Sequence, residues 1–152
     1  METTRLTDLP PSVEVLSREA EAHGYRFLRR LIEEWSTGAN RFDRPGEVLL
    51  VASTHGHLVG IGGLNRDPYS RHPGVGRVRH FYVQEAFRRQ GVGRHLLEGI
   101  VAAAHGAFDE LHLRTDGAEA ARFYERFGFR RVNYEAATHA LTLGSRRGRL
   151  TT

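Results

Sequence analysis

The chain has 152 residues, 39% hydrophobic and 26% charged, and it contains no cysteine. This size and composition are typical of one globular domain that can bury a hydrophobic core, and we expect residues 1–152 to form a single domain. Without cysteine there is no disulfide and no thiol nucleophile, so we predict a cytoplasmic protein. No apolar run approaches the roughly 20 residues that a membrane helix needs, and no signal-peptide core follows Met1.

The formal net charge is +4, and all 22 basic residues are arginine. The absence of lysine excludes Schiff-base chemistry. The arginines are scattered, apart from the segments 88–94 and 146–149, whereas a nucleic-acid-binding protein usually gathers them on one face. We therefore expect no nucleic-acid partner, and we attribute the mild positive excess to a ligand that carries several phosphate charges.

The hydrophobic pattern predicts, in chain order, a strand, two helices, three strands, a helix, a strand, a helix and two strands. The predicted strands are 3–6, 48–52, 58–64, 77–83, 111–115, 129–133 and 139–143. The predicted helices are 12–23, 25–35, 91–105 and 118–127. Prolines and glycines between Asn65 and Gly76 predict a long loop. The polar tail Ser145–Thr152 is expected to fray.

Two strand–helix–strand units in this order indicate a partly parallel sheet with right-handed crossovers. We therefore predict an α/β (α+β) fold, in which a mixed sheet of six to seven strands has helices on both faces.

The segment from Val83 to Arg94 joins a predicted strand to a predicted helix through a basic turn that contains Gly91 and Gly93. The first N–H groups of a helix have no intrahelical partner and attract anions. Glycine allows the backbone to approach a ligand closely, and arginine donors suit phosphate. A turn whose glycines only permit tight packing is the plainer interpretation.

The spacing Arg88-x-x-Gly91-x-Gly93 differs from other phosphate loops. A Gly-x-Gly-x-x-Gly motif would need glycine at Leu96, and the chain has no Gly-Lys-Ser/Thr of a P-loop. The pattern resembles the coenzyme A pyrophosphate loop of the GNAT superfamily of acyl-CoA N-acyltransferases.

A second segment, Ala120–Phe129, resembles the other signature of this superfamily. Ala120, Phe123, Tyr124 and Phe127 share one helical face, and Gly128 is the expected left-handed residue that ends the helix. Taken alone, Tyr124 would more often be a core aromatic residue. Both signatures occur in the family order, so the resemblance covers roughly residues 48–143.

The resemblance implies an acetyltransferase in which an amine attacks the thioester of acetyl-CoA directly, with no metal. It implies a sheet that splays between the fourth and fifth strands, near Val83 and Leu113, with the Val83 N–H bound to the thioester carbonyl. It implies Tyr124 as the acid for the leaving sulfur. The implied coenzyme A contacts are Phe81, Tyr82, Val83, Arg88, Arg89, Gln90, Gly91, Val92, Gly93 and Arg94.

The general base has three candidates. His112 aligns with a family glutamate on the fifth strand, and histidine titrates near neutrality. His80 is the second candidate, because neighbouring strands would point both histidines into one cleft. The third is a chain of water molecules. Gly117 replaces a family asparagine that contacts the pantetheine arm, so that contact is lost or is taken over by Asp116 or Thr115.

The acceptor is predicted to be a small-molecule amine, because the long loop would crowd the cleft. Residues that could line an amine pocket are Trp35, Phe42, Asp43, Asp67 and Tyr69. An amine of a protein or peptide, a non-catalytic acyl-CoA sensor and a nucleic-acid-binding module are the alternatives. No membrane partner is expected, and the resemblance leaves a homodimer open.

Overall fold

A computed structural model describes residues 1–144, so the tail Ser145–Thr152, which we expected to fray, lies outside the described residues. Within this range seven strands form one sheet in the order β1-β2-β3-β4-β5-β7-β6. The strands are β1 Glu2–Arg5, β2 Val48–Thr54, β3 His57–Arg66, β4 Val75–Val83, β5 Glu110–Leu113, β6 Arg130–Arg131 and β7 His139–Thr142. The helices are α1 Val13–Ala22, α2 Phe27–Thr37, α3 Val92–Ala104 and α4 Ala118–Phe127. The predicted mixed α/β fold and the predicted element order are confirmed.

Two hydrophobic cores lie on opposite faces of the sheet. One joins β2–β5 to α3 and α4, with Leu96, Leu97 and Ile100 fully buried. The other joins α1 and α2 to the opposite face, with Leu28 and Leu31 fully buried. The apolar residues of each helix lie on one side of it, and this explains why each helix covers one sheet face.

The loop after β3 is shorter than the sequence indicates. We predicted a loop over Asn65–Gly76, but β3 continues to Arg66 and β4 begins at Val75. Gly76 lies under the ring of Phe108, where an added Cβ would be 2.8 Å from a ring carbon. Glycine at this position therefore permits close packing within a strand and does not break it.

A β-bulge in β4 changes which residues face each core. The register of β3 and β4 shifts by one residue between Ile61 and Gly63, and His80 within the bulge has a φ of 57°. As a result Val78 and Phe81 both pack on the α3 side. From Phe81 onwards the strand alternates, so His80 and Tyr82 lie on the α1–α2 side.

The sheet opens between β4 and β5. These two strands are parallel, and their register pairs are confined to Val75–Arg77 with Glu110–His112. Arg77 and His112 are the last pair, so the remainder of β4, residues 78–83, has no β5 partner. The predicted gap is therefore present, and it begins several residues before Val83.

The second strand–helix–strand unit ends differently from the prediction. Strand β7 inserts between β5 and β6 and is antiparallel to both. Instead of the predicted 129–133, β6 has two residues, because the Phe129 N–H bonds the Tyr124 carbonyl and so belongs to the end of α4.

Candidate active site

The turn between β4 and α3 is open to solvent. Residues 88–91 are exposed, and Gly91 has a φ of 84°, in the left-handed region. The His95 N–H donates to the Gly91 carbonyl, and this is the first backbone hydrogen bond of α3. The N–H groups of Val92, Gly93 and Arg94 therefore have no partner one turn back, and the helix start can take an anion.

The two glycines of the turn have different roles. A Cβ on Gly91 would meet nothing within 4 Å, so glycine there serves the backbone conformation. A Cβ on Gly93 would lie 3.3 Å from the ring of Phe123 and 3.6 Å from Val83. Glycine at 93 therefore lets α3 begin close to both β4 and α4.

The arginines around the turn are held to different degrees. The Nε of Arg88 donates to the Val83 carbonyl at 2.9 Å, and its guanidinium lies 5.2 Å from the centre of the Tyr82 ring. Arg89 and Arg94 are 89% and 73% exposed, and each is within 4 Å of a surface glutamate. Gln90 donates to the Ala86 carbonyl within the turn. Two arginines are therefore available to an incoming phosphate group.

Backbone donors line the gap in the sheet. The Gln84 N–H bonds the Val59 carbonyl of β3. Because N–H directions alternate along a strand, the N–H groups of Val83 and Phe81 point the other way, into the gap. The Tyr82 side chain lies on the other face, with its hydroxyl on Glu19, so only its backbone borders the gap.

Tyr124 lies beside the gap on the α3–α4 side. Its ring contacts three phenylalanines, with the Phe81 centroid at 5.9 Å, and the residue is 7% exposed. Burial raises the pKa of its hydroxyl above the usual range. Helix α4 ends at Gly128, which has a φ of 129°, so the predicted helix end is confirmed.

His112 is held between two carboxylates. Its Nε2 lies 3.0 Å from Glu110 and its Nδ1 3.5 Å from Asp67. A neutral imidazole has one N–H and can satisfy only one of them. Burial raises the pKa of Glu110, but hydrogen bonds from Arg130 and His112 outweigh it and hold the pKa below its usual range.

His80 occupies a different environment. Its Nδ1 lies 2.9 Å from the Phe27 carbonyl, the ring packs edge-on to Phe42, and Nε2 is buried without a partner. Burial, reinforced by the charge of Arg79, lowers the pKa of His80 to about 3. This environment favours a fixed neutral ring over proton storage, and His80 as the base stays a prediction.

A family model described as the acetyltransferase (GNAT) domain matches residues 45–131. The chain belongs to the GNAT acetyltransferase family. A candidate acetyltransferase from Exiguobacterium sp. 255-15 superposes with a TM-score of 0.82 and 29% identity, over 93% of this chain and 94% of that one. An aminoglycoside 6'-N-acetyltransferase complexed with coenzyme A gives a TM-score of 0.70 and 13% identity, over 96% and 99%. A GNAT-family acetyltransferase from Staphylococcus aureus Mu50 superposes with a TM-score of 0.69 and 16% identity, over 93% of this chain and 99% of that one.

No curated protein matches this GNAT chain in sequence. In residues 1–144 no helix is long and apolar enough to span a membrane. The same range contains no group of three or more His, Asp or Glu side chains placed to hold a metal ion.

In this GNAT domain a cavity of about 600 Å³ opens on the sheet face opposite α3, beside the last β4–β5 pair. Its lining consists of Asp67, Tyr69, Ser70, Arg77, His112, Arg114, Tyr134, Glu135, Ala136 and Ala137. Two of the residues predicted for an amine pocket, Asp67 and Tyr69, are among them.

The other predicted pocket residues lie elsewhere. Trp35 and Phe42 are buried in the core under α1 and α2, and Asp43 is exposed outside the cavity lining. His112 lines the cavity and His80 does not, so the two histidines share a sheet face but not this cavity.

Sequence reasoning missed Arg77, Arg114 and Tyr134 as cavity residues. The alternation of β5 indicates that Arg114 shares the His112 face. The place of Arg77 depends on the bulge in β4, and that of Tyr134 on the β6–β7 loop. Neither feature has a local sequence signal.

Proposed function

We propose that this acetyltransferase moves an acetyl group from acetyl-CoA to the primary amine of a small molecule by direct attack. The observation that carries the proposal is the exposed helix start at Gly91–Arg94, which follows directly on the part of β4 that has no β5 partner. The diphosphate would bind the free N–H groups of α3, and the pantetheine arm would pair with the unpartnered edge of β4 as an added strand.

The chemical step needs little beyond positioning and charge stabilisation. The amine nitrogen forms a bond to the thioester carbon, and the C–S bond breaks. The N–H group of Val83 is proposed to stabilise the oxyanion, and that of Phe81, which also points into the gap, is the second donor in reach. The proton that the amine loses passes to His112, to His80 or to water.

Tyr124 is proposed as the acid that protonates the departing sulfur. Its position beside Phe81, at the gap, supports this role. The raised pKa keeps the hydroxyl protonated at neutral pH, but it also widens the difference from the thiol. Transfer of this proton to the thiolate is therefore uphill by the difference in pKa, so the position of Tyr124, and not its acidity, supports the role.

The side-chain-lined cavity next to the gap supports a small-molecule acceptor, because it is of the size that such ligands fill. Two aminoglycoside acetyltransferases share the fold at 13% and 16% identity. At this identity they support the reaction class and not the acceptor. A cytoplasmic location stays a prediction.

A panel of amines with acetyl-CoA, followed by the release of free thiol, tests the proposal. In parallel, coenzyme A at 100 times its dissociation constant should stabilise the fold by roughly 2.7 kcal/mol. Binding without turnover of any amine would favour the sensor alternative. Turnover of protein or peptide amines alone would favour the alternative in which the acceptor is a protein or peptide. No binding at near-physiological salt would overturn the enzyme assignment.

A further inference from the structure

The cavity beside the last β4–β5 pair has a cationic wall. Arg77 is 8% exposed, and its Nη2 donates to the Ala136 carbonyl at 2.8 Å. Its Nη1 is buried and has no hydrogen-bond partner, and the nearest carboxylate oxygen, on Asp67, is 3.7 Å away. A buried charged donor without a partner is costly, so this atom marks an incomplete site.

Asp67 does not neutralise this wall by itself. Its Oδ1 accepts from the Tyr69 N–H at 3.0 Å, and its Oδ2 lies near His112. Burial lowers the pKa of Arg77, and the charge of Asp67 offsets this only in part, while Arg114 adds to the lowering. At its buried end the wall therefore sets Arg77 against Asp67, and the hydrogen bond of the Arg77 Nη1 remains unmade.

Arg114 extends the cationic wall towards solvent. It lies two residues after His112 on the same face of β5, and its side chain is 54% exposed. Its nearest ion-pair partner, Asp116, is also exposed, at 3.8 Å. Such a pair is weak, so Arg114 can turn to a ligand in the cavity.

Tyr69 covers the buried guanidinium. The Arg77 carbon Cζ lies 4.7 Å from the centre of the Tyr69 ring, and Tyr69 is itself 66% exposed. The ring lies in the loop 67–74, between β3 and β4. An anion reaches Nη1 when this ring moves aside, and the charge-assisted hydrogen bond then replaces the cation–π contact.

We propose that the acceptor amine also carries a carboxylate, which binds Arg77 and Arg114 in this cavity. This inference rests on the proposed acetyl transfer. Arg77 precedes Phe81 by four residues, a span of at most about 13 Å along an extended strand. The amine must reach the gap, so it is separated from the carboxylate by several bonds, as in an ω-amino acid.

The test compares acceptors that differ in one group. Glycine, 4-aminobutyrate and 6-aminohexanoate are each compared with their amides, with acetyl-CoA and thiol release as the readout. We expect kcat/KM for 6-aminohexanoate to exceed that for its amide by about tenfold or more, because the carboxylate makes charge-assisted bonds. Glycine should show no such preference.

Two variants and a control locate the effect. Arg114→Gln should reduce the preference, and Arg77→Gln should abolish it, while Arg126→Gln, on the exposed end of α4, should keep it. If Arg77→Gln does not fold, Arg77→Lys, which keeps the charge but not the fork of donors, should weaken the preference. An equal rate for acid and amide, or a preference that survives in all the cavity variants, would overturn the proposal.

A melting shift separates this proposal from the proposed function. In the presence of coenzyme A, 6-aminohexanoate should stabilise the protein more than its amide, whether or not transfer occurs. Acetylation without a carboxylate preference contradicts only the carboxylate site. A carboxylate-dependent shift without acetylation contradicts only the proposed reaction.

Discussion

Gly93 at the start of α3 lies against the ring of Phe123 on α4, and a Cβ at this glycine would be 3.3 Å from the ring carbon Cζ. The contact joins the two segments by which the sequence resembles its family. It couples the position of the helix start, where the diphosphate is expected, to the helix that bears Tyr124. Changes at either residue should therefore affect coenzyme A binding and not only packing.

Gly93→Ala should weaken coenzyme A binding by about tenfold, because the methyl group pushes α3 away from Phe123 and overpacking of this kind costs about 1–3 kcal/mol. Calorimetry at fixed salt measures the change. Phe123→Leu provides the control, since a smaller side chain should restore part of the affinity in the double variant. Additive losses in the two variants would show that the contact does not transmit the effect.

Gly91→Ala should destabilise the fold by about 1 kcal/mol, because alanine in a left-handed conformation is strained. The corresponding fall in melting temperature is about 2–4 °C for a protein of this size. Gly91→Asn should lose less, since asparagine tolerates this region. No side chain lies near the site of the new Cβ, so equal losses for alanine and asparagine would contradict a backbone origin.

Tyr124→Phe should lower kcat roughly 100-fold if the hydroxyl protonates the sulfur, within the usual range for general acid catalysis. Coenzyme A affinity and the melting temperature should change little, since the ring keeps its contacts with Phe81, Phe123 and Phe129. An unchanged kcat would assign Tyr124 to the core alone. Because burial raises its pKa, the wild-type rate should show no loss from this group up to about pH 10.

The fold was predictable where one residue type dominates local structure. Helix α4 has the predicted bounds, and Gly128 explains where it ends. The turn before α3 follows from Gly91 and Gly93. The nearby prolines and glycines predict a loop from Asn65 to Gly76, whereas in the structure Asn65 pairs with Arg77 and Arg66 with Gly76. Strand pairing is a long-range property that a local pattern does not contain.

The turn and helix start of the candidate site are easier to predict than the cavity beside the gap. The first is made by one continuous segment, 83–94, whose backbone conformation follows from its sequence. The second combines β4, β5, the loop 67–74 and the β6–β7 loop. A bulge at His80 decides which face Arg77 occupies, and the position of a bulge depends on pairing with β3, which a local pattern does not contain.

His112→Gln should lower kcat near pH 7 by roughly 100-fold if His112 takes the proton of the amine, while coenzyme A affinity stays within about twofold. The glutamine amide can still donate a hydrogen bond to Glu110 or Asp67, so the loss of kcat measures proton transfer more than folding. His57→Ala, at the exposed first residue of β3, is the matched control. A pH–rate profile that keeps its shape would leave His80 or water as the acceptor of the proton.

His80 should make the free energy of unfolding depend on pH in mildly acidic solution. The pKa of His80 is lowered to about 3 in the folded protein, against an ordinary value of about 6.5 when the chain unfolds. Between these values the unfolded chain binds a proton that the folded chain does not. The stabilisation by this group is therefore complete above about pH 6.5 and falls with decreasing pH, by up to about 1.4 kcal/mol per pH unit.

Denaturant unfolding between pH 5 and 7 measures this slope in a range where carboxylates contribute least. His80→Asn is the variant of choice, because its amide can still donate to the Phe27 carbonyl but does not titrate. The slope of the wild type should exceed that of the variant. Identical slopes would mean that the His80 ring takes up a proton in the folded protein, and that result would favour His80 as the base.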